Sequence, residues 1–223
     1  MRKTPFEVGE YYHIYNRGVD KRTIFLDEED IQRFYDSIEE FNVLEPIGSI
    51  YEHSFAKRLG SEASKSEAES GALAILIAHC ANPNHFHLLL KQGAEKGIEK
   101  FMHRVGTGYT KYFNNKYKRS GSLFQGVFKS IHVDTNGYLL HLSAYISLND
   151  RVHQLGSEAS KLVRSRSSWG EYTDARIEGI CEKDIILGQF GDSEGYREFA
   201  LSSLESIIKR KEEFKGIGSF LLE

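Results

Sequence analysis

Alternation and helical spacing of apolar positions divide the chain into recognisable elements. "EYYHIYNRG" alternates and ends on Asn16–Gly18, a turn signal, so it predicts a first strand. In "LDEEDIQRFYDSIEEFNVL", Ile31, Phe34, Tyr35, Ile38 and Phe41 recur at helical spacing behind a possible N-cap, Asp27, with acids in the first turn. "ALAILIAHC" is short and almost wholly apolar, as a buried strand would be. The turn "NPN" at Asn82–Asn84 and the return "HFHLLLKQ" complete a hairpin. "GIEKFMHRVGTGYTKYFNNKY" predicts a long helix with Ile98, Phe101, Met102, Val105, Tyr109, Tyr112 and Phe113 on one face, and with Gly106 and Gly108 weakening it or permitting close approach. "KRSGSLFQGVFKSIHV" reads as loop then strand, and "NGYLLHLSAYISLND" as another helix. Later come a small patch around Trp169, a short element at "DIILGQFG" and an amphipathic helix at "GYREFALSSLESIIKRKEEF".

Strands mixed with helices, including an antiparallel hairpin, predict an α+β fold: a central antiparallel sheet with flanking helices. Residues 1–154 form the expected main domain, with 46–71 as a loop insertion, and 155–223 a C-terminal extension forming a small helical lobe. The string "LGSEASK" occurs at Leu59–Lys65 and again at Leu155–Lys161 without a fixed period, which excludes a solenoid. Two solvated loops account for the copies; both could also be translated pieces of a mobile DNA repeat, which a comparison of their codons tests.

Composition changes this picture little. No apolar run is long enough to cross a bilayer. The N-terminus lacks the apolar core of a signal peptide. Cys80 and Cys181 form no paired motif, so a disulfide framework is not expected and a reducing cytoplasm fits. The formal net charge is -3, but it is unevenly spread. From Lys91 to His132 there are nine lysines and arginines against Glu95 and Glu99. Such a segment can steer a polyanion, or it can be an ordinary solvated helix face.

The candidate chemistry starts at "NPNHFHLLLK". In a strand, His85 and His87 share a face, their backbones roughly 6.5–7 Å apart, while Phe86, Leu88 and Leu90 point to the other. Either the imidazoles are satisfied core or rim side chains, or they converge on a cation. His79 on the neighbouring strand is a further possible contact or a structural residue. On the later helix, Tyr138, His141 or Leu142, Tyr145 and Asn149 follow one face, with Tyr145 and Asn149 one turn apart. Tyr145 either packs at the core rim or acts as a nucleophile, which needs activation because a phenol is weak at neutral pH. A cation held by two histidines and an amide oxygen would suit phosphoryl transfer. The basic, aromatic-interleaved "HRVGTGYTKYFNNKYKRS" could neutralise phosphates and stack bases.

Five blocks in order, "YHIYNRG", "IFLDEEDIQRF", "NPNHFHLLLK", "FMHRVGTGYTKYFNNKYKRSGSLFQGVFKS" and "YLLHLSAYISLN", resemble the REP-associated tyrosine transposases. These are insertion-sequence transposases of the single-tyrosine HUH (His-hydrophobic-His) superfamily. The resemblance covers most of residues 10–150 and extends weakly to "SSWGEY" and "ILGQFG…YREF". It implies an HUH, ferredoxin-like transposase fold. His85, His87 and Asn149 match the metal ligands for Mg2+ or Mn2+, and Tyr145 matches the nucleophile. The implied activity is cleavage and rejoining of single-stranded DNA beside a hairpin through a 5′-phosphotyrosine intermediate, by a monomer or homodimer with no membrane partner. The basic segment implies DNA contacts from Arg104, Lys111, Lys116, Lys118, Arg119 and Lys129. A domesticated hairpin binder without cleavage is the alternative. Relatives commonly continue Asn-Pro-Val where this chain has Asn149, Asp150 and Arg151, so the end of that helix is where a departure is expected. A hydrolase acting on a small substrate would lack an evident general base.

Overall fold

The computed structural model describes residues 5–48, 50, 71–152 and 165–214, with the side chains of 210–214 excluded. Both "LGSEASK" copies and most of the expected 46–71 insertion lie outside the described residues. The elements in chain order are β1 (Tyr11–Arg17), α1 (Glu28–Glu40), β2 (Ala74–Asn82), β3 (His85–Gln92), α2 (Gly97–Lys116), β4 (Lys129–Val133), α3 (Asn136–Ser147), α4 (Asn149–Val152), β5 (Arg166–Ser167), α5 (Trp169–Thr173), α6 (Asp184–Leu187) and α7 (Ser193–Phe214). The strands form one antiparallel sheet in the order β4-β1-β3-β2-β5, so the expected α+β architecture is the observed one.

Each face of the sheet carries its own core. Tyr12 and Ile14 of β1 and Phe86, Leu88 and Leu90 of β3 join Phe34 and Ile38 of α1 and Phe101, Val105 and Tyr109 of α2. On the other face, Ile77, Cys80 and Leu89 meet Leu142 and Ile146 of α3 and Tyr172, Ile186, Tyr196 and Ala200 from the C-terminal elements. Period-2 alternation divides the strands between these layers, and complete burial of each large apolar side chain contributes roughly 1.5–3 kcal/mol. Residues after 164 add β5 to the sheet edge and share the second core with α3.

Local signals set the boundaries. Asp27 caps α1, its side chain accepting from Asp30 N, and Thr135 caps α3 by accepting from Tyr138 N. Gly108 lets α2 pack tightly on α1, since a Cβ there would meet the Phe41 ring at 2.6 Å, whereas Gly106 faces open space. The helix carrying Tyr145 ends at Ser147; after Leu148, Asn149 opens the separate short turn α4. No helix among the described residues is long and apolar enough to cross a membrane.

Candidate active site

His85 opens β3 and His87 follows on the same face, opposite the layer that takes Phe86 and Leu88. Their rings stand edge to face, with centroids 5.2 Å apart. Antiparallel pairing sets Tyr15 opposite His87 and Arg17 opposite His85, while α3 crosses this face and lays Tyr145 over it. The Tyr145 ring is 5.9 Å from that of His87 and edge-on to it. Across the break in the helix, Asn149 is fully buried, and its Oδ1 lies 3.4 Å from His85 Nε2. Tyr145, His85, His87 and Asn149 therefore meet in one place. The cleft there has a volume of about 590 Å³ and is also lined by Tyr15, Lys129, Tyr138 and His141.

The hydrogen bonds fix which lone pairs face the cleft. His85 Nδ1 lies 2.6 Å from Asn84 Oδ1, an acceptor, so Nδ1 carries the proton and Nε2 presents its lone pair. Asn82 Nδ2 donates to that lone pair at 3.0 Å and to Asn149 Oδ1 at 2.7 Å. The other end of the Asn82 amide accepts from Ser165 Oγ at 2.8 Å. Two acceptors thus converge on a single donor, where a divalent cation would compete for the same lone pairs. Two imidazoles and an amide oxygen form a mixed N/O set, and the oxygen suits Mg2+ or Mn2+.

His87 Nδ1 pairs with His13 Nε2 at 2.9 Å, both side chains being buried. Burial lowers the His13 pKa to about 4, so His13 is neutral at neutral pH. If it accepts the His87 Nδ1–H, the His87 lone pair sits on Nε2. The low pKa has a stability consequence. From pH 6.5 down to about 4 the unfolded chain takes up a proton that folded His13 refuses. Stability is then fully present above pH 6.5 and falls by up to about 3 kcal/mol as the pH drops through this window. Denaturant midpoints of metal-free protein should track this fall, and His13→Gln should flatten the curve; an unchanged curve would place the pH dependence elsewhere, with buried His79 the next group to test.

Burial raises the Tyr145 phenol pKa, and hydrogen bonding with Asn149 partly offsets it. The Asn149 Nδ2 meets no partner at good hydrogen-bond geometry. Tyr145 is thus a protonated phenol at neutral pH with Asn149 beside it.

The basic residues separate by environment. Lys111, Lys118 and Lys129 are exposed; Lys129 lies 5.8 Å over the Tyr15 ring at the cleft, and Lys111 lines a second cleft between α2 and the loop before β4. Arg104 donates to the carbonyls of Phe41, Val43 and Leu44 and so caps the end of α1. Arg119 donates to Asn114 Oδ1 and the Ser122 carbonyl. Lys116 binds Asp27, Glu29 and Asp30. The last three are engaged inside the fold.

His79 points away from this cleft into the first layer, where it meets Tyr35 and Glu171. It belongs to a cluster with Glu171 and Cys181 whose donor atoms could hold a metal ion. Sequence reading did not single out His13, Asn82 or Asn84. The signal for His13 was present: alternation in "EYYHIYNRG" puts His13, Tyr15 and Arg17 opposite the core positions Tyr12 and Ile14. The asparagines read only as turn formers.

The geometry defines a tyrosine and an HUH pair on an antiparallel sheet. The family described as "Transposase IS200 like" matches residues 50–149, the span that holds His85, His87, Tyr145 and Asn149. Over that span the chain is similar to this family. Its fold is shared with a solved REP-associated tyrosine transposase bound to a REP hairpin, at TM-score 0.51 and 12% identity, covering 81% of this chain and 88% of that one. No curated protein matches the chain.

Proposed function

We propose that the protein is a metal-dependent strand transferase that cleaves and rejoins single-stranded DNA beside a hairpin, with Tyr145 as nucleophile. The supporting observation is the convergence of the Tyr145 ring, 5.9 Å from His87, with His85 in one cleft, and of Asn149 Oδ1 with His85 Nε2 beside it. Tyr145 Oη forms a bond to phosphorus as the bond to the 3′-oxygen breaks; the phenol proton is lost and the departing oxygen gains one. The products are a 5′-phosphotyrosine and a free 3′-hydroxyl, and attack by another 3′-hydroxyl reverses the step and joins strands. Mg2+ or Mn2+ on His85, His87 and Asn149 would neutralise phosphate charge and favour the phenolate. Neutral His13 holds the His87 ring, while Asn84 fixes His85 in the ligand tautomer. Tyr15 and Tyr138 offer faces for unpaired bases, and Lys129, with Lys111 and Lys118 further out, offers charge to the backbone.

The test incubates the protein with a labelled single-stranded hairpin oligonucleotide and Mn2+. The expected result is a covalent adduct on a denaturing gel that EDTA abolishes and added Mn2+ restores. His85→Ala and His87→Ala should each lower adduct formation by about 10²-fold or more. Binding across a range of hairpins with no adduct would overturn cleavage in favour of a hairpin-binding role, and an adduct indifferent to EDTA would remove the metal.

A further inference from the structure

A second cluster lies at the β2–β5 edge of the sheet, on the layer facing away from the Tyr145 cleft. His79 comes from β2, Glu171 from α5 and Cys181 from the segment before α6. One donor atom from each lies within 4.8 Å of the other two. His79 is completely buried, Glu171 nearly so, and Cys181 partly exposed.

The hydrogen bonds around His79 leave an unmet requirement. The Tyr35 hydroxyl contacts the Arg166 carbonyl at 3.0 Å and His79 Nδ1 at 2.7 Å. A hydroxyl has one proton and a carbonyl can only accept, so with that proton on the Arg166 carbonyl, Tyr35 Oη accepts from His79 Nδ1–H. A neutral His79 then presents a lone pair at Nε2, yet Nε2 lies 2.8 Å from Glu171 Oε1, another acceptor. In that arrangement a positive charge must satisfy both acceptors, either a second proton on the imidazole or a metal ion; with Tyr35 donating to Nδ1 instead, a neutral Nε2–H serves Glu171 and the Arg166 carbonyl loses its donor. The complete burial of the His79 ring works against the second proton. The Arg166 guanidinium, 4.3 Å over the Tyr35 ring, adds to that resistance.

We propose that His79, Glu171 and Cys181 form a zinc site that fastens the C-terminal elements to the edge of the sheet. Imidazole, carboxylate and thiolate are the donors Zn2+ prefers, and water can take the fourth position beside the partly exposed cysteine. The two anionic donors balance the dication. Tyr35 is the outer hydrogen-bond partner that orients a ligating imidazole. Glu171 Oε2 accepts from the Cys181 backbone N–H at 3.0 Å, which keeps Oε1 turned to His79 and brings the thiol alongside. The local chain is shaped for this approach. A Cβ at Gly179 would collide with the Glu171 carboxylate, so a side chain there would push that carboxylate out of its place beside His79 and Cys181. Lys183 Nζ on the Glu171 carbonyl and Glu182 N on the Leu76 carbonyl fasten the same segment on either side.

The test uses the full chain in a His85→Ala/His87→Ala background, so that the Tyr145 cleft contributes no imidazole pair. After loading with Zn2+ and dialysis, elemental analysis should find about one zinc per chain. Loading with Co2+ should give the near-ultraviolet charge-transfer band of a cobalt–thiolate bond. Cys181→Ser should remove that band and reduce retained zinc at least tenfold, while Cys80→Ser, which alters the second cysteine of the chain, should leave both unchanged. A band that survives in Cys181→Ser, or no retained zinc in protein that is folded by circular dichroism, would overturn the site and leave a protonated His79–Glu171 pair in its place. Neither outcome bears on strand cleavage, which the parent protein reports separately.

Discussion

Tyr145→Phe is expected to eliminate the covalent DNA adduct and to slow strand cleavage by on the order of 10⁴-fold or more, the scale of removing a nucleophile outright. The substitution deletes one oxygen and keeps the ring that stands edge-on to His13 and His87. Hairpin affinity and thermal stability should therefore stay near those of the parent. The contrast with Tyr138→Phe makes the test specific. Tyr138 lines the same cleft, but burial and Asp134 both raise its phenol pKa, whereas Tyr145 has Asn149 working against its burial. Tyr138→Phe should keep the adduct. An adduct that persists in Tyr145→Phe and disappears in Tyr138→Phe would move the nucleophile about two helical turns back along α3. Loss in both would point to a shared role in holding the strand, which the affinities would reveal.

Sequence periodicity anticipated the elements that carry this chemistry because strand alternation and helix spacing depend on local geometry alone. The pair His85 and His87 falls on one face for that reason, and β3 spans the residues of "HFHLLLKQ". The meeting of Tyr145 with His87 depends on α3 crossing β3, a tertiary fact that spacing could not supply; it was legible through resemblance. The break at Leu148 was foreshadowed by the unusual Asn149–Asp150–Arg151 sequence, yet Asn149 still reaches His85 because a single turn separates it from Tyr145. Least legible was the use of positive charge. Counting lysines and arginines along α2 cannot distinguish a side chain facing solvent from one turned back on α1. Arg104 and Lys116 find partners on and just after α1 that are fixed only when the helices pack, while Arg119 bonds the nearby Asn114 and Ser122. Similarly, His79 and Glu171 lie 92 positions apart and meet only through the fold.

Asp30→Ala is expected to destabilise the protein by about 3–5 kcal/mol, the scale of breaking a buried ion pair from one side. Asp30 is fully buried in α1. Its carboxylate accepts from Leu26 N at 2.8 Å, Tyr117 Oη at 2.8 Å, Tyr112 Oη at 3.1 Å and Lys116 Nζ at 2.9 Å. The start of α1 is thereby tied to the end of α2. Alanine leaves those donors without their acceptor, although Asp27 still holds Lys116 through both oxygens at 2.8 Å. The loss should appear as a lower denaturant midpoint with an unchanged slope. Lys116→Met tests the same network from the other side, keeping the apolar stem while removing the charge. Burial disfavours the Lys116 ammonium, but the hydrogen bonds it donates to Asp27 and Asp30 outweigh it and hold its pKa up, so its deletion should also cost stability, with the two substitutions clearly non-additive. A Lys116 that instead served DNA would behave differently. Its loss would weaken hairpin binding and reduce the salt dependence by about one phosphate contact, with stability within about 0.5 kcal/mol of the parent. Lys129→Met should show that second pattern, since Lys129 stands exposed beside the cleft over Tyr15. The pair of variants thus separates charge that builds the scaffold from charge offered to the strand.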